Sequence, residues 1–493
     1  MNKPLKMLAF DFGASGGRAI LGCLQDGKLV TEEIHRFSND PVEVRGTFYW
    51  DVLRLFDEIK QGILKCANSG HKDIDSIAID TWGVDFGLLD EQGNLLGNPY
   101  HYRDSHTDGM MEEAFKIIPR YEFYAKTGLQ FMKFNSVFQL LALKQHHSPA
   151  LKQAKTMLLM PDLFNYFLTG VKASEISIAS TTQLLKPGTL EWDGEIIARL
   201  GLPGDIFTGI VASGTVIGSL SPELAKELGV SEIPVIAAAG HDTQAAIVSV
   251  PAETSDYAYI SCGTWSLMGI ESDTPIINEK SDALAFTNEA GVDNKTTFLK
   301  NIMGLWLVQE SKRQWDREGK SYSFAQLETM AVEAKPFEAF IDPEDDFFMA
   351  PGNMPDRIRE YCRKTNQPVP QTEGEIMRCI YQSLALKYRQ THESLEEVKG
   401  GELPVIHMIG GGIKDQMLCQ LTANATGRKV AAGPVEATSI GNLMVQAMAL
   451  GEVKDLQEAR QIIKQSFTVK VYEPQEVEAW NEAYEKYKNA VKI

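Results

Sequence analysis

The sequence predicts an α/β protein with two domains of similar length. Apolar strand-like runs alternate with helical patterns along the chain. The length of 493 residues is more than one hydrophobic core usually holds. The chain begins with a strand, a glycine-containing turn and a second strand, and the same pattern occurs again after Pro251. We therefore expect one domain over residues 1–248 and a second over residues 249–493.

The first half opens with three predicted strands, over residues 7–11, 18–24 and 29–37. Apolar residues at helical spacing predict a helix over 51–66, and a fourth strand follows over 74–80. Helices are expected to dominate from about Asp108 to Leu168, and a strand-rich stretch is expected from there to Ala239.

The second half repeats the opening pattern and then becomes mainly helical. Two strands are predicted over 256–261 and 266–270, with Cys262-Gly263-Thr264-Trp265 as the turn between them. The remaining elements are helices over 303–315 and 373–395, a strand over 405–409, and helices from Lys414, over 436–450 and over 476–491.

The turn Gly240-His241-Asp242-Thr243 is the most informative feature of the chain. It joins a strand ending at Ala239 to a helix predicted over 244–250. Turns of this kind face a cleft in α/β folds, and an Asp there can accept a proton from a hydroxyl group. Asp242 is therefore a candidate general base. The alternative is that it caps the helix, and the local sequence leaves both open.

Three glycine-containing turns are candidates for phosphate or nucleoside binding, at Asp11 to Arg18, at Cys262 to Ser266 and at Gly410 to Asp415. Glycine lets backbone N–H groups approach an anion closely. Arg18 would add positive charge, and Asp11 could hold a Mg²⁺ ion through water. A plain hairpin and a closely packed turn are the alternatives.

Composition excludes several classes of protein. A net charge of −18 with no long basic run argues against nucleic acid or an anionic membrane as the main partner. The six cysteines form no C-x-x-C pair, so we expect reduced thiols in a cytoplasmic protein without a zinc site. The chain contains neither a P-loop nor a dinucleotide-binding G-x-G-x-x-G motif. No leader or membrane span is predicted.

Taken together, these turns resemble those of the FGGY carbohydrate kinases, and the resemblance covers almost the whole chain. Four further stretches carry it, at residues 79–86, 102–104, 301–306 and 433–442. The resemblance implies two ribonuclease-H-like domains of the actin and hexokinase type, with an interdomain cleft. It implies ATP-dependent phosphorylation of L-rhamnulose at the 1-hydroxyl in rhamnose breakdown. L-Fuculose, L-ribulose or D-xylulose is the alternative ketose.

The resemblance also implies residue roles, with Asp242 as the base. The residues expected to bind the sugar are Gly83, His241, Asp242, Thr243 and Asn301. Those expected to bind ATP are Ala14, Ser15, Gly16, Gly17, Arg18, Thr264, Gln309 and Gly411. Asn301 as a helix cap and Gln309 as a solvated residue are the alternatives. The helix that follows Asp242 is expected to lower the pKa of its carboxyl.

The expected partners are therefore a sugar and ATP with Mg²⁺, and neither nucleic acid nor a membrane. We expect a monomer or a homodimer. A non-catalytic sugar-binding regulator or an actin-like assembly protein is the alternative from another class, because one fold serves many functions.

Overall fold

The computed structural model describes residues 3–13 and 16–492. The strands are β1 (Leu5–Gly13), β2 (Gly16–Gln25), β3 (Lys28–Ser38), β4 (Val42–Val44), β5 (Thr47–Tyr49), β6 (Ser76–Thr81), β7 (Phe86–Leu89), β8 (Thr156–Leu159), β9 (Ser174–Glu175), β10 (Ile210–Val211), β11 (Thr215–Ser219), β12 (Pro234–Ala237), β13 (Tyr257–Cys262), β14 (Trp265–Ser272), β15 (Thr287–Ala290), β16 (Thr296–Met303), β17 (Val405–Ile409), β18 (Lys429–Ala432) and β19 (Lys470–Tyr472).

The helices are α1 (Val52–Asn68), α2 (Met110–Ile117), α3 (Arg120–Thr127), α4 (Ser136–Gln145), α5 (Pro149–Gln153), α6 (Met160–Thr169), α7 (Ile176–Ser180), α8 (Gly194–Leu200), α9 (Pro222–Leu228), α10 (Asp242–Val248), α11 (Glu279–Ala283), α12 (Trp306–Arg317), α13 (Phe324–Glu333), α14 (Met354–Lys364), α15 (Glu373–Lys399), α16 (Gln416–Thr426), α17 (Ala437–Ala449), α18 (Leu456–Ser466) and α19 (Val477–Val491).

The chain forms two compact units, and neither is continuous in sequence. The first unit contains the chain up to Ser249 together with Glu271–Phe298 and Ala437–Ser466. The second contains Val250–Ile270, Leu299–Glu436 and the chain from Phe467 onward. The strand β15 and the helices α11, α17 and α18 therefore belong to the first unit, although they come late in the sequence.

The first unit is built on a six-stranded mixed sheet with the order β11-β12-β6-β1-β2-β3. β1, β2 and β3 form an antiparallel meander, whereas β6 runs parallel to both β1 and β12. The register places Asp11 opposite Arg18 on one side and opposite Asp80 on the other. Two carboxylates thus end neighbouring parallel strands.

Helices cover both faces of this sheet. α1 buries one face, with Leu55, Ile59 and Ile63 fully inside the core next to Phe10 of β1. α17 packs on β1 and β6, and it also packs closely on α10. That approach needs a glycine, because a Cβ atom at Gly441 would lie 1.7 Å from the carbonyl oxygen of Ala245.

The second unit has a mixed sheet in which strands follow the order β16-β14-β13-β17-β18-β19. β13 and β14 form an antiparallel hairpin, and β17 runs parallel to β13 and β18. Each unit therefore contains a hairpin whose first strand pairs in parallel with a later strand. This arrangement is the repeat that the sequence pattern predicts.

The mixed α/β class and the main strands are confirmed. The region from Leu168 to Ala239 differs from the expected run of strands, because it also contains α7, α8 and α9. These helices are only five to seven residues long, so periodicity gives little signal for them. Within the described residues, none of the helices has the length and apolarity that a membrane span requires.

Candidate active site

Asp242 is the first residue of α10, and the N-cap position belongs to His241. The capping interpretation of Asp242 is therefore wrong. Its Oδ1 atom accepts a hydrogen bond from the backbone N–H of Thr243 at 2.6 Å, and 29% of its side chain is exposed. A carboxylate that is held locally and partly exposed has the placement that a general base requires.

Burial raises the pKa of Asp242 to about 6, against the lowering effect of the adjacent His241. Asp11 adds a further upward contribution, because it brings a second negative charge near the group. The backbone N–H of Thr243, in the first turn of α10, acts in the expected downward direction, but the net shift is upward. α10 has only seven residues, and the loss of water around the carboxylate outweighs its effect.

Asp11 and Asp80 end β1 and β6 as a pair of buried carboxyl groups. Asp11 Oδ2 lies 3.2 Å from Nη2 of Arg18 and accepts a hydrogen bond from the Ser439 hydroxyl at 2.9 Å. Asp80 Oδ2 accepts from Nδ2 of Asn442 at 2.6 Å. Burial, followed by the charge of Asp11, raises the pKa of Asp80 well above its ordinary value.

The turn that contains Gly83 lies next to the turn that contains Asp242. Thr81 donates its backbone N–H to the carbonyl of Gly240 at 2.9 Å and forms a bridge with His241. Val84 follows Gly83 with a φ of 70°, which is unusual for a β-branched residue. The Thr181 hydroxyl accepts from the backbone N–H of Val84 at 3.0 Å and helps to hold this conformation.

The buried carboxylate of Asp85 fixes the same turn through hydrogen bonds in the core. Asp85 accepts hydrogen bonds from the ring N–H groups of Trp50 at 2.6 Å and Trp82 at 3.0 Å. The Tyr102 backbone and the Gln139 amide donate two more. Burial raises the pKa of Asp85 to about 7 although all four donors oppose the shift. Trp82 thus serves packing and hydrogen bonding in the core.

The hairpin between β1 and β2 contains five of the residues expected to bind ATP. Ala14 and Ser15 lie outside the described residues. Gly16 and Gly17 begin β2, and a Cβ atom at Gly17 would lie 2.3 Å from the Phe37 ring. Close packing therefore explains Gly17 without a ligand. Arg18 forms the ion pair with Asp11 described above.

In the second unit, the structure brings together two of the expected ATP-binding residues. Thr264 lies in the β13–β14 turn, and its hydroxyl donates to the Gln309 side chain at 3.2 Å. Gln309 is on α12, whose first N–H, that of Trp306, donates to the carbonyl of Thr264 at 3.1 Å. Asn301 lies in β16 and is not the cap of α12, because Leu305 occupies that position.

Gly411 begins a short 3-10 turn after β17, and the space beside its Cα is open. Its neighbour Gly412 is different, because a Cβ atom there would lie 2.4 Å from Sγ of Cys262. Gly412 thus meets a packing requirement, whereas Gly411 leaves free surface at the end of the strand. The described part of the chain contains no group of three or more His, Cys, Asp or Glu side chains arranged as a metal site.

Two family models match the chain over most of its length. The N-terminal domain model of the FGGY family of carbohydrate kinases matches residues 6–249. The C-terminal domain model of the same family matches residues 258–450. The chain belongs to the FGGY family of carbohydrate kinases. It is therefore a sugar kinase, with a sugar and ATP as small-molecule substrates.

Individual relatives within the FGGY family align along nearly the whole chain. A rhamnulokinase from Bacteroides thetaiotaomicron is 48% identical, over 98% of this chain and 99% of its own length. A rhamnulokinase from Oceanobacillus iheyensis is 46% identical, over 94% and 97%. A crystal structure of ligand-bound xylulose kinase from Lactobacillus acidophilus has a TM-score of 0.83, with 18% identity and 98% coverage of both chains. At that identity the likeness concerns the fold.

The structure of this FGGY kinase adds polar groups to the candidate site for which the sequence predicted no role, although two of them, Ser439 and Asn442, lie in a stretch that carries the family resemblance. Ser439 and Asn442 both lie on α17. Ser439 follows its partner Asp11 by about 430 residues, and Asn442 contacts Asp80. Glu289 on β15 places Oε2 at 3.0 Å from Nδ1 of His241. In the sequence Glu289 is one of many acidic residues, and only the fold shows that it meets the turn that contains His241 and Asp242.

Proposed function

We propose that this chain transfers the γ-phosphoryl group of ATP to the 1-hydroxyl of L-rhamnulose, and that it serves L-rhamnose breakdown in the cytoplasm. Identities of 48% and 46% to two rhamnulokinases over nearly the full chain support the choice of sugar. The placement of Asp242 carries the proposal for the chemistry. It is a partly exposed carboxylate whose pKa of about 6 leaves it mostly ionised at neutral pH.

The sugar side of the proposed site lies in the first unit. Asp242 would accept the proton of the 1-hydroxyl. His241 and Thr243 would contact sugar hydroxyls from either side of it, and Gly83 would offer its backbone. Support comes from the pairing of Thr81 with His241, which places the Gly83 turn beside the Asp242 turn. From the second unit, we assign Asn301 to the sugar as well.

The nucleotide side of the proposed site uses Thr264, Gln309 and Gly411. The hydrogen bond between Thr264 and Gln309 supports a common role for the first two, and the open space at Gly411 suits a flat nucleoside. In the first unit, we assign phosphate contacts to the hairpin residues Ala14, Ser15, Gly16, Gly17 and Arg18. The guanidinium of Arg18, which forms an ion pair with Asp11, would also bind a phosphate oxygen.

Magnesium fits at Asp11 as an ion held through water. The carboxyl of Asp11 is buried and lies opposite Asp80 on the neighbouring strand, and Mg²⁺ is typically held by one or two carboxylates while it keeps several waters and binds substrate phosphates. When bound, the ion neutralises charge on the phosphate oxygens. Asp11 would orient one of its waters, and Ser439 would keep Asp11 in place.

The reaction then needs little covalent chemistry from the protein. The oxygen of the sugar 1-hydroxyl forms a bond to the γ-phosphorus, the bond from that phosphorus to the bridging oxygen breaks, and ADP leaves. The hydroxyl proton goes to Asp242. Because the transition state of such transfers is loose, orientation and charge neutralisation supply most of the acceleration.

The test is a panel of L-rhamnulose, L-fuculose, L-ribulose and D-xylulose with ATP and Mg²⁺, followed by ADP release and ³¹P NMR. We expect the highest kcat/KM with L-rhamnulose, and a product whose phosphorus couples to two protons, as a phosphate on the C1 methylene must. Faster turnover of another ketose would overturn the choice of sugar. ADP release that does not depend on any sugar would overturn the kinase function itself.

A further inference from the structure

Glu289 is a buried carboxylate that meets the active-site turn from a distant part of the sequence. Its Oε2 atom lies 3.0 Å from Nδ1 of His241, and the other ring nitrogen, Nε2, lies 3.5 Å from Oδ1 of Asp242. We propose that Glu289 is a positioning residue for phosphoryl transfer, which holds His241 as an imidazolium so that this cation keeps Asp242 ionised and oriented. This inference rests on the proposed function of Asp242 as the base.

The backbone holds Glu289 firmly in place. On one side, the backbone N–H of Asn288 donates to the carbonyl of Gly128 at 2.9 Å. On the other, the N–H of Ala290 donates to the Ser180 hydroxyl at 3.0 Å. The Gln244 amide donates to Glu289 Oε2 at 2.9 Å, so the side chain is fixed as well. With only 5% of the residue exposed, water screens its charge weakly.

Three carboxylates face His241 from three elements. They are Glu289 on β15, Asp242 on α10 and Glu175 at the end of β9. Burial by itself lowers the pKa of His241, but the three negative charges, that of Glu289 above all, raise it above the ordinary value for histidine. These contacts favour the charged form of the imidazole.

Glu175 is a less suitable source of this charge stabilisation than Glu289. Its Oε2 atom already accepts from the backbone N–H of Gly240 at 3.0 Å and from that of Ile178 at 3.0 Å. The Ser177 hydroxyl also donates to Oε2, and the Ser213 hydroxyl donates to Oε1. These bonds spread its negative charge and fix the turn before His241. Glu289 approaches the imidazole ring itself.

The charge on His241 has a direct consequence for Asp242. His241 is the main influence that opposes the effect of burial on the Asp242 pKa, while Asp11 acts in the same direction as burial. Asp80 lies near enough to Asp242 that the two charges also disfavour each other. Loss of the imidazolium would remove the main influence that opposes burial and the negative charges of Asp11 and Asp80. Opposite charges at such distances shift a pKa by about one to three units.

The decisive variant is Glu289→Gln, which keeps the volume of the side chain and an acceptor for Gln244. The measurement is kcat/KM for L-rhamnulose between pH 5 and 9. In the wild type the rate falls as the pH drops through the Asp242 pKa, because the base becomes protonated. We expect Glu289→Gln to move this acidic limb up by about one to three pH units. For a shift of about two units, the loss at pH 7 is about tenfold, with recovery near pH 9.

Two control variants separate charge from packing. Glu289→Asp keeps the carboxylate, so its acidic limb is expected to stay close to that of the wild type even if the rate falls. Thr297→Val disturbs the same buried cluster, because the Thr297 hydroxyl accepts from the Gln244 amide at 2.9 Å, yet it leaves the charge of Glu289 unchanged. A purely structural role for Glu289 predicts a loss of rate that is equal at every pH.

A second measurement does not depend on activity. The chain has nine histidines, and the NMR resonance of the His241 ring can be assigned by its absence from the His241→Gln spectrum. We expect an imidazolium chemical shift at pH 7 in the wild type and a neutral one in Glu289→Gln. A neutral His241 in the wild type at pH 7 overturns the inference, even if the Gln variant fails to fold.

The two proposals fail in different ways. If the wild type phosphorylates no ketose, the proposed function falls, and the NMR titration still tests the charge on His241. If the wild type is active while Glu289→Gln keeps both its acidic limb and a cationic His241, the inference is wrong and the proposed function stands.

Discussion

The close approach of α17 to α10 gives a direct test of how the first unit is assembled. Gly441→Ala places a Cβ atom 1.7 Å from the carbonyl oxygen of Ala245, half of the 3.4 Å at which ordinary contact begins. The Cβ atom of Val248 would lie at 3.2 Å as well. Because the clash is with the backbone of a packed helix, a rotamer change cannot relieve it, and the two helices must separate.

The cost follows from the contacts on α17. Overpacking lowers the free energy of unfolding by about 1–3 kcal/mol, and the higher helix propensity of alanine offsets about 1 kcal/mol of this loss. Separation also strains the hydrogen bonds from Ser439 to Asp11 and from Asn442 to Asp80, at about 1 kcal/mol each. We expect a net loss of about 2–4 kcal/mol, which lowers the melting temperature by about 3–6 °C for a unit of roughly 300 residues.

The assay is thermal unfolding followed by circular dichroism, together with kcat at a temperature well below the transition. Gly194→Ala is the matched control, because a Cβ atom there meets nothing within 4 Å at the start of α8. We expect that control to unfold within about 1–2 °C of the wild type. A Gly441→Ala variant as stable as the control would refute the close packing of α17 on α10.

Two further predictions concern buried carboxylates. Since burial raises the pKa of Asp85 from 3.8 to about 7, its contribution to stability is fully present only below about pH 4 and is lost as the pH rises to about 7. The melting temperature of Asp85→Asn should therefore depend less on pH between about 4 and 7.5 than that of the wild type, and equal slopes would contradict the shift. For Asp11→Asn, we expect the Mg²⁺ concentration at half-maximal rate to rise about tenfold or more, and an unchanged metal titration would remove Asp11 from the ion site.

Local patterns were sufficient to predict the elements that carry the site. Alternating apolar residues and flanking glycines predicted β1, β2, β13 and β17, and the turn before α10 was found because Asp242 interrupts an apolar run. These features depend on neighbours in sequence, so a single chain contains the information.

Other parts of the site depend on contacts between distant residues. Glu289 follows Asp242 by 47 residues and lies within the range that the C-terminal family model matches, yet it belongs to the same compact unit as Asp242. Asn442 reaches Asp80 only because α17 returns to the first sheet. Periodicity reports which face of an element is buried, and it does not report which partner covers that face. The expected cleft between the two domains and the boundary near residue 248 stay predictions.

The pKa of Asp242 shows the same limit for electrostatics. From the sequence, the only visible influence was the helix that follows the residue. The structure adds the burial of the carboxylate and the nearby charges of His241 and Asp11, and burial decides the sign. Desolvation depends on how completely the fold removes water, which no local motif contains.

The central claim is that Asp242 accepts the proton of the sugar hydroxyl, and Asp242→Asn tests it most directly. Sugar-dependent ADP release should be measured beside the Kd for ATP and the melting temperature, so that a loss of rate can be assigned to chemistry. We predict a rate at least about 10²-fold lower, with ATP binding and folding retained. Turnover within a few-fold of the wild type in that variant would contradict the account.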